Sequence, residues 1–360
     1  MKPLLMLRRS AAFVILLFVV LPTLGQGVGI PSKKGGIGFG NLKRFTGIRL
    51  NFIDRGLEKV TGINVAMWKP KRDSAGSGTI NGVAIGLPIS TGAGNIHGIS
   101  AGIFGVGAGQ SMHGINVGGL GIGAGEDLTG INIGGLGAGS GGNLNGFTFG
   151  GLGAGAGGNV NGISIGGLGI GAGGDLTGIN LGGLGVGAGE NVKGFSFGGL
   201  GMGAGENITG VSIGGLGVGA GKNITGISIS VLAVGSGESV NGIAIAGLAT
   251  GSPVIRALAI APFVGGKDLK GIFIAPLSLQ MGSKEMDEET VIMKGISVSA
   301  FNKVRGHQRG LTIGALNYAT HQHGLQLGIL NYVKDNPKGL RWLPLFNMHF
   351  GKKPVITEQN

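Results

Sequence analysis

The chain has 360 residues, of which 84 are Gly, and carries a formal net charge of +12 with no Cys. The missing Cys excludes a disulfide framework, a Cys-ligated metal site and a lipoprotein anchor. Gly at every second residue rather than every third excludes collagen, and 42% hydrophobic against 12% charged residues excludes general disorder.

Residues 1–25 read as a secretory signal peptide. Lys2, Arg8 and Arg9 form a basic start, Ala11 to Leu21 is apolar, and Thr23-Leu24-Gly25 offers a cleavage site before Gln26. The apolar run is short for a membrane-spanning helix. The expectation is an exported chain, at the cell surface, in the outer membrane or in the periplasm.

The positive charge belongs to the ends. Residues 26–74 hold ten Lys/Arg against three Asp/Glu, residues 75–250 two against six, and residues 251–360 thirteen against seven. Basic ends suit contact with anionic lipid or cell-wall polymer, although solubility of the ends of a repeat stack is the plainer reading. Nucleic acid is not an expected partner of an exported chain with 5% aromatic residues.

Residues 26–81 form a basic N-terminal cap with degenerate repeats. Residues 82–250 form a strict Gly-rich array. Gly82, Gly98, Gly114, Gly130, Gly146, Gly162, Gly178, Gly194, Gly210, Gly226 and Gly242 are each 16 residues apart. Residues 251–350 carry degenerate repeats and a C-terminal cap, followed by a polar tail at 351–360.

One unit reads T-G-I-N-I-G-G-L-G-A-G-S-G-G-N-L from Thr129 to Leu144. Alternation puts Ile131 and Ile133 on one face and Asn132 on the other. Gly134-Gly135 breaks the parity, Leu136, Ala138 and Ser140 share the next face, and Gly142-Asn143 is a turn. Each unit therefore reads as two short strands and two corners.

Identical residues at a constant period stack as parallel strands. The predicted fold is all-β, a parallel β-solenoid of about 16-residue coils with irregular charged caps. Its expected interior holds the columns of Ile131, Ile133, Leu136 and Ala138. Gly121, Gly137 and Gly153, with Asn317 and Asn331 at the matching places, are the expected positive-φ positions.

The alternative is an outer-membrane antiparallel β-barrel, acting as a pore or transporter, with one strand per unit. The parity break and the shortage of girdle aromatics, two Trp and two Tyr in all, argue against it.

The late units carry the phrase G-L-T-I-G-A-L-N-Y-A from Gly310 and G-L-Q-L-G-I-L-N-Y-V from Gly324. This resembles the surface-repeat-containing proteins of Gram-negative bacteria, with their G-[LIV]-x-[LIV]-G-x-[LIV]-N repeats. The close match covers residues 295–350, and the central array replaces the Asn by Gly. The resemblance implies export and an envelope or surface setting, and no catalytic residues.

Chemistry is sparse. The many G-x-G-x-x-G matches lie in a β repeat without the following helix that a phosphate cradle needs. His97 and His113 lie one repeat apart, and His307, His321 and His323 fall near C-terminal turns. Turn histidines are more often solvated than ligating, so no metal or other cofactor is assigned. Glu126, Asp127, Asp175, Glu190, Glu206 and Glu238 fall at unit turns and read as solvated. No catalytic set has a definable geometry, and the chain is not expected to be an enzyme.

Two breaks in the rhythm are the candidate interaction loops. The 20-residue spacing from Gly62 to Gly82 contains Trp68, Lys69, Lys71 and Arg72. The 24-residue spacing from Gly271 to Gly295 contains Lys284, Glu285, Asp287, Glu288 and Glu289. The expected function is a structural or binding scaffold at the bacterial envelope. Its partner would be an unidentified protein, lipid or polysaccharide, and self-association is a further option.

Overall fold

The computed structural model describes residues 27–68 and 78–350. The expected signal peptide at residues 1–25, the tail at 351–360, Lys69, Lys71 and Arg72 lie outside the described residues. Two compact units divide the chain at Gly174 and Asp175. Each is a parallel β-solenoid.

In the first unit, one coil is a seven-residue strand, a corner, a four-residue strand and a turn. Leu128–Gly134 and Gly137–Ser140 are the two strands of one such coil. Both pair in parallel with their equivalents one repeat away: Gly130 lies opposite Gly114 and Gly146, and Ala138 opposite Ile122 and Ala154. The second unit repeats this arrangement, with Leu176–Gly182 against Val192–Gly198 and Gly185–Ala188 against Gly201–Ala204. Neighbouring repeats run in the same direction throughout these arrays, which removes the antiparallel barrel.

The register agrees with the 16-residue period, but the inside and outside of the long strand are exchanged. Asn132 is fully buried, whereas Ile131 is 44% exposed and Leu136 50% exposed. Leu128 and Ala138 do point inward. The reason is the width of the coil. A Cβ on Gly134 would lie 2.0 Å from the carbonyl oxygen of Gly137, so the chain folds back too tightly there for an inward side chain. In the central coils the interior narrows from Leu128 toward that corner and holds small polar groups in the Asn132 column.

The buried polar column is bonded in part by stacking, although Asn64 Oδ1, Asn180 Oδ1 and Ser228 Oγ have no partner among the described residues. Ser100 Oγ donates to Asn116 Oδ1 (2.6 Å), and Asn116 Nδ2 donates to Asn132 Oδ1 (2.8 Å). Such bonds matter, because an unpaired buried amide costs about 1–3 kcal/mol. Toward the N-terminal end the same column carries Asn64 and then Arg49. Arg49 is wholly buried, and its guanidinium donates to Asp54 Oδ1 at 2.5 Å. Burial pulls the Arg49 pKa down, and the Asp54 carboxylate opposes that shift.

The positive-φ glycines are not those expected. Gly114, Gly130, Gly146 and Gly162 have φ of 119°, 115°, 104° and 115°. Gly121, Gly137 and Gly153 are absent from the positive-φ positions, as are Asn317 and Asn331. At Gly130 a Cβ would meet the Gly114 carbonyl oxygen at 2.1 Å, so both conformation and space demand Gly. Gly137 instead faces outward, where a Cβ would sit 3.5 Å from its nearest neighbour.

Antiparallel strands cover both ends of the described chain. Val28–Ser32 pairs antiparallel with Gly35–Phe39, and Trp342–His349 pairs antiparallel with the last coil of Ile292–Val333. Each takes up the hydrogen-bonding groups of a terminal coil that would otherwise template further pairing.

Candidate functional site

The exchange of faces puts the larger apolar side chains outside. In the first unit, Ile99, Ile115, Ile131, Phe147 and Ile163 form one exposed row, and Leu120, Leu136, Leu152 and Leu168 form a ridge at the corner. In the second unit the corresponding row includes Ile179, Phe195 and Ile227, and the ridge runs from Leu184 through Leu200, Leu216, Leu232 and Leu248. In-register pairing places each row member directly over the next, about 4.8 Å away.

The four-residue strands present a different face. With Ala138 turned inward, Gly137 and Gly139 face out and leave the sheet nearly flat. In the second unit, a shallow apolar trough of 660 Å³ follows this glycine face beside the ridge, lined in part by Leu200, Gly201, Leu216, Gly217, Gly219 and Gly235. The two kinds of surface suit apolar contact and close approach by another extended surface.

The acidic turns are more ordered than solvated turns require. Asp127 Oδ1 accepts from the backbone N–H of Asn143 (2.7 Å) and from its side-chain amide (3.0 Å). Asp175 Oδ1 receives the same two bonds from Asn191, at 3.1 and 2.8 Å. The Lys193 ammonium and the Asn191 amide hold the Asp175 pKa below its ordinary value. In the first unit Asp127 anchors Asn143, which accepts from Asn159, and in the second Asp175 anchors an Asn column that continues through Asn207 and Asn223.

Of the first candidate loop, Trp68 is described, and it ends the strand Lys59–Trp68 with half its surface exposed. The second loop does not simply leave the stack. Lys284, Glu285 and Asp287 are exposed, but a short 3-10 turn, Glu288–Thr290, folds back over the coils. Asp287 caps that turn by accepting from the Glu289 backbone N–H at 3.1 Å. Glu288 pairs with Lys334 at 3.1 Å and raises the lysine pKa.

Glu289 reaches a column of titratable side chains. His307 Nε2 donates to Glu289 Oε2 at 2.8 Å, and His321 Nε2 lies 3.6 Å from Glu289 Oε1. The two imidazoles stack with centroids 4.4 Å apart, and the other nitrogen of His321 bonds the Asp335 carboxylate. His307 is buried. The sequence carried a sign of this column: His307, His321 and Asp335 are spaced by 14, as are Gly310 and Gly324. It carried no sign that Glu289 would fold onto it. His97 and His113 also stack, with centroids 5.0 Å apart. His323 instead meets Phe350 edge-on.

Comparison with known proteins finds no matching protein family, no similar curated protein and no similar solved structure.

Proposed function

We propose that the chain is an exported, non-enzymatic interaction scaffold of the bacterial cell envelope, with its aliphatic exterior as the working surface. The observation that carries this reading is the pair of exposed features in each unit, an Ile/Phe row and a Leu ridge over successive coils. Soluble monomers rarely expose contiguous apolar patches above a few hundred Å². Fully covering a large aliphatic side chain is worth about 1.5–3 kcal/mol. These residues are roughly half exposed, so a partner that covers four of them gains several kcal/mol. Acyl chains or an apolar protein surface fit such rows better than a polysaccharide does. The signal-peptide-like leader and the resemblance of residues 295–350 to envelope repeat proteins support the setting.

Cell fractionation with protease shaving of intact cells tests the location, and a surface variant tests the role. Ile131→Ser, Phe147→Ser and Ile163→Ser combined should release the protein from the envelope fraction while its circular dichroism stays unchanged. Retention of the folded triple variant in that fraction would overturn the assignment of the working surface. A cytoplasmic location would overturn the whole reading.

A further inference from the structure

We infer that Glu289, His307 and His321 form a binding site for one divalent transition ion of the zinc class. Among the described residues, these three place one ligand atom each within 4.8 Å of one another. In a tetrahedral zinc site with bonds of about 2.0–2.1 Å, neighbouring ligand atoms lie about 3.3 Å apart. Here His307 Nε2 lies 2.8 Å from Glu289 Oε2 and His321 Nε2 3.6 Å from Glu289 Oε1, so both imidazoles face the one carboxylate, and small side-chain rotations bring the three groups onto one ion. Two imidazoles and one carboxylate are a donor set that zinc accepts, and three protein ligands leave a fourth position for water or an incoming donor.

A separate feature supports the assignment. His321 is gripped by Asp335 through Nδ1, while its Nε2 faces Glu289. A histidine ligand commonly donates its second ring N–H to a carboxylate, which fixes the tautomer and aims the other nitrogen at the metal. Asp335 is thus a positioning residue and not a ligand. The three ligands come from three places: the inserted turn and two successive coils of Ile292–Val333. A bound ion therefore ties the insertion to the stack, reinforcing the Glu288–Lys334 pair.

The test is titration of the purified, chelator-treated full chain with Co²⁺, followed by displacement with Zn²⁺. One equivalent of Co²⁺ should give the intense visible bands of a four-coordinate site, and Zn²⁺ should abolish them. Glu289→Gln, whose side chain is exposed, should weaken binding at least 10-fold with the fold intact. Asp335→Asn should weaken it about 10–100-fold, and His307→Ala with His321→Ala should remove it. His97→Ala with His113→Ala should leave it unchanged. Weak pink octahedral cobalt in the wild type would overturn the site, as would binding that is indifferent to Glu289→Gln. If the His307/His321 variant misfolds, the Glu289 and Asp335 variants decide the matter alone.

Discussion

The coils around Gly130 and the coils of Ile292–Val333 share the phrase G-[aliphatic]-x-[aliphatic], yet they are held together differently. In the central coils, space decides. Glycines let the strands and corners close up, and the buried polar column is bonded only at some steps, with 3.5 Å between Asn132 and Thr148 and no partner for Ser228 Oγ among the described residues. In the late coils, side-chain amides decide. Asn302 donates to Asn317 (2.8 Å), and Asn317 donates to Asn331 (2.7 Å). Each of these amides also bonds a backbone carbonyl, of Ile313, Leu327 and Leu343 respectively. The lesson is that one repeat phrase fixes register, while the residue after the fourth aliphatic fixes how a coil is bonded to its neighbour. Polar chemistry gathers where side chains, rather than glycines, do the bonding.

The contrast can be broken most severely at Gly130. Gly130→Val demands a side chain at φ 115° and 2.1 Å from a carbonyl oxygen. The expected loss is about 3 kcal/mol or more, read from urea midpoints. Next is Asn317→Ala, which strands Asn302 and Asn331 inside the late coils and should cost roughly 2–4 kcal/mol. Thr148→Val, which removes only the long 3.5 Å bond from Asn132 in the central column, should cost about 1 kcal/mol, the low end of the cost of stranding a buried amide, by the same measurement. Equal losses for these two would erase the distinction between the regions. Gly137→Ala should change stability by no more than about 0.5 kcal/mol, since its Cβ meets ordinary contact distances.

A further small effect concerns acid. The Asp175 pKa is depressed in the fold, so its contribution is present above the ordinary carboxylate pKa and is lost as pH falls through the depressed value. Asp175→Asn should lower stability by under about 1 kcal/mol at neutral pH. The gap in melting temperature between variant and wild type should narrow as the pH falls below the ordinary carboxylate range.

The period, the parallel register and the inward Ala138 column were legible in the sequence, because stacked coils require like residues at like positions, but the inward Leu128 column was not assigned there. The facing of Ile131 and Asn132 was not. Alternation shows that they oppose each other, and the usual preference for buried aliphatics then selects the wrong side. The deciding fact, the tight corner between Gly134 and Gly137, exists only in three dimensions. The same holds for the positive φ, which falls where carbonyls of neighbouring coils press on Gly130 and not where Gly and Asn interchange. The 24-residue spacing revealed an insertion, and the 14-residue spacing of His307, His321 and Asp335 was present in the text. Their meeting depends on the Glu288–Thr290 turn folding back over the coils.

Single cysteines in this Cys-free chain test the exchanged faces most directly. Purified Ile131→Cys and Asn132→Cys proteins would be labelled with a maleimide under native conditions. The account predicts rapid labelling at 131 and protection at 132 until the protein is unfolded. Protection at 131 with rapid labelling at 132 would contradict it.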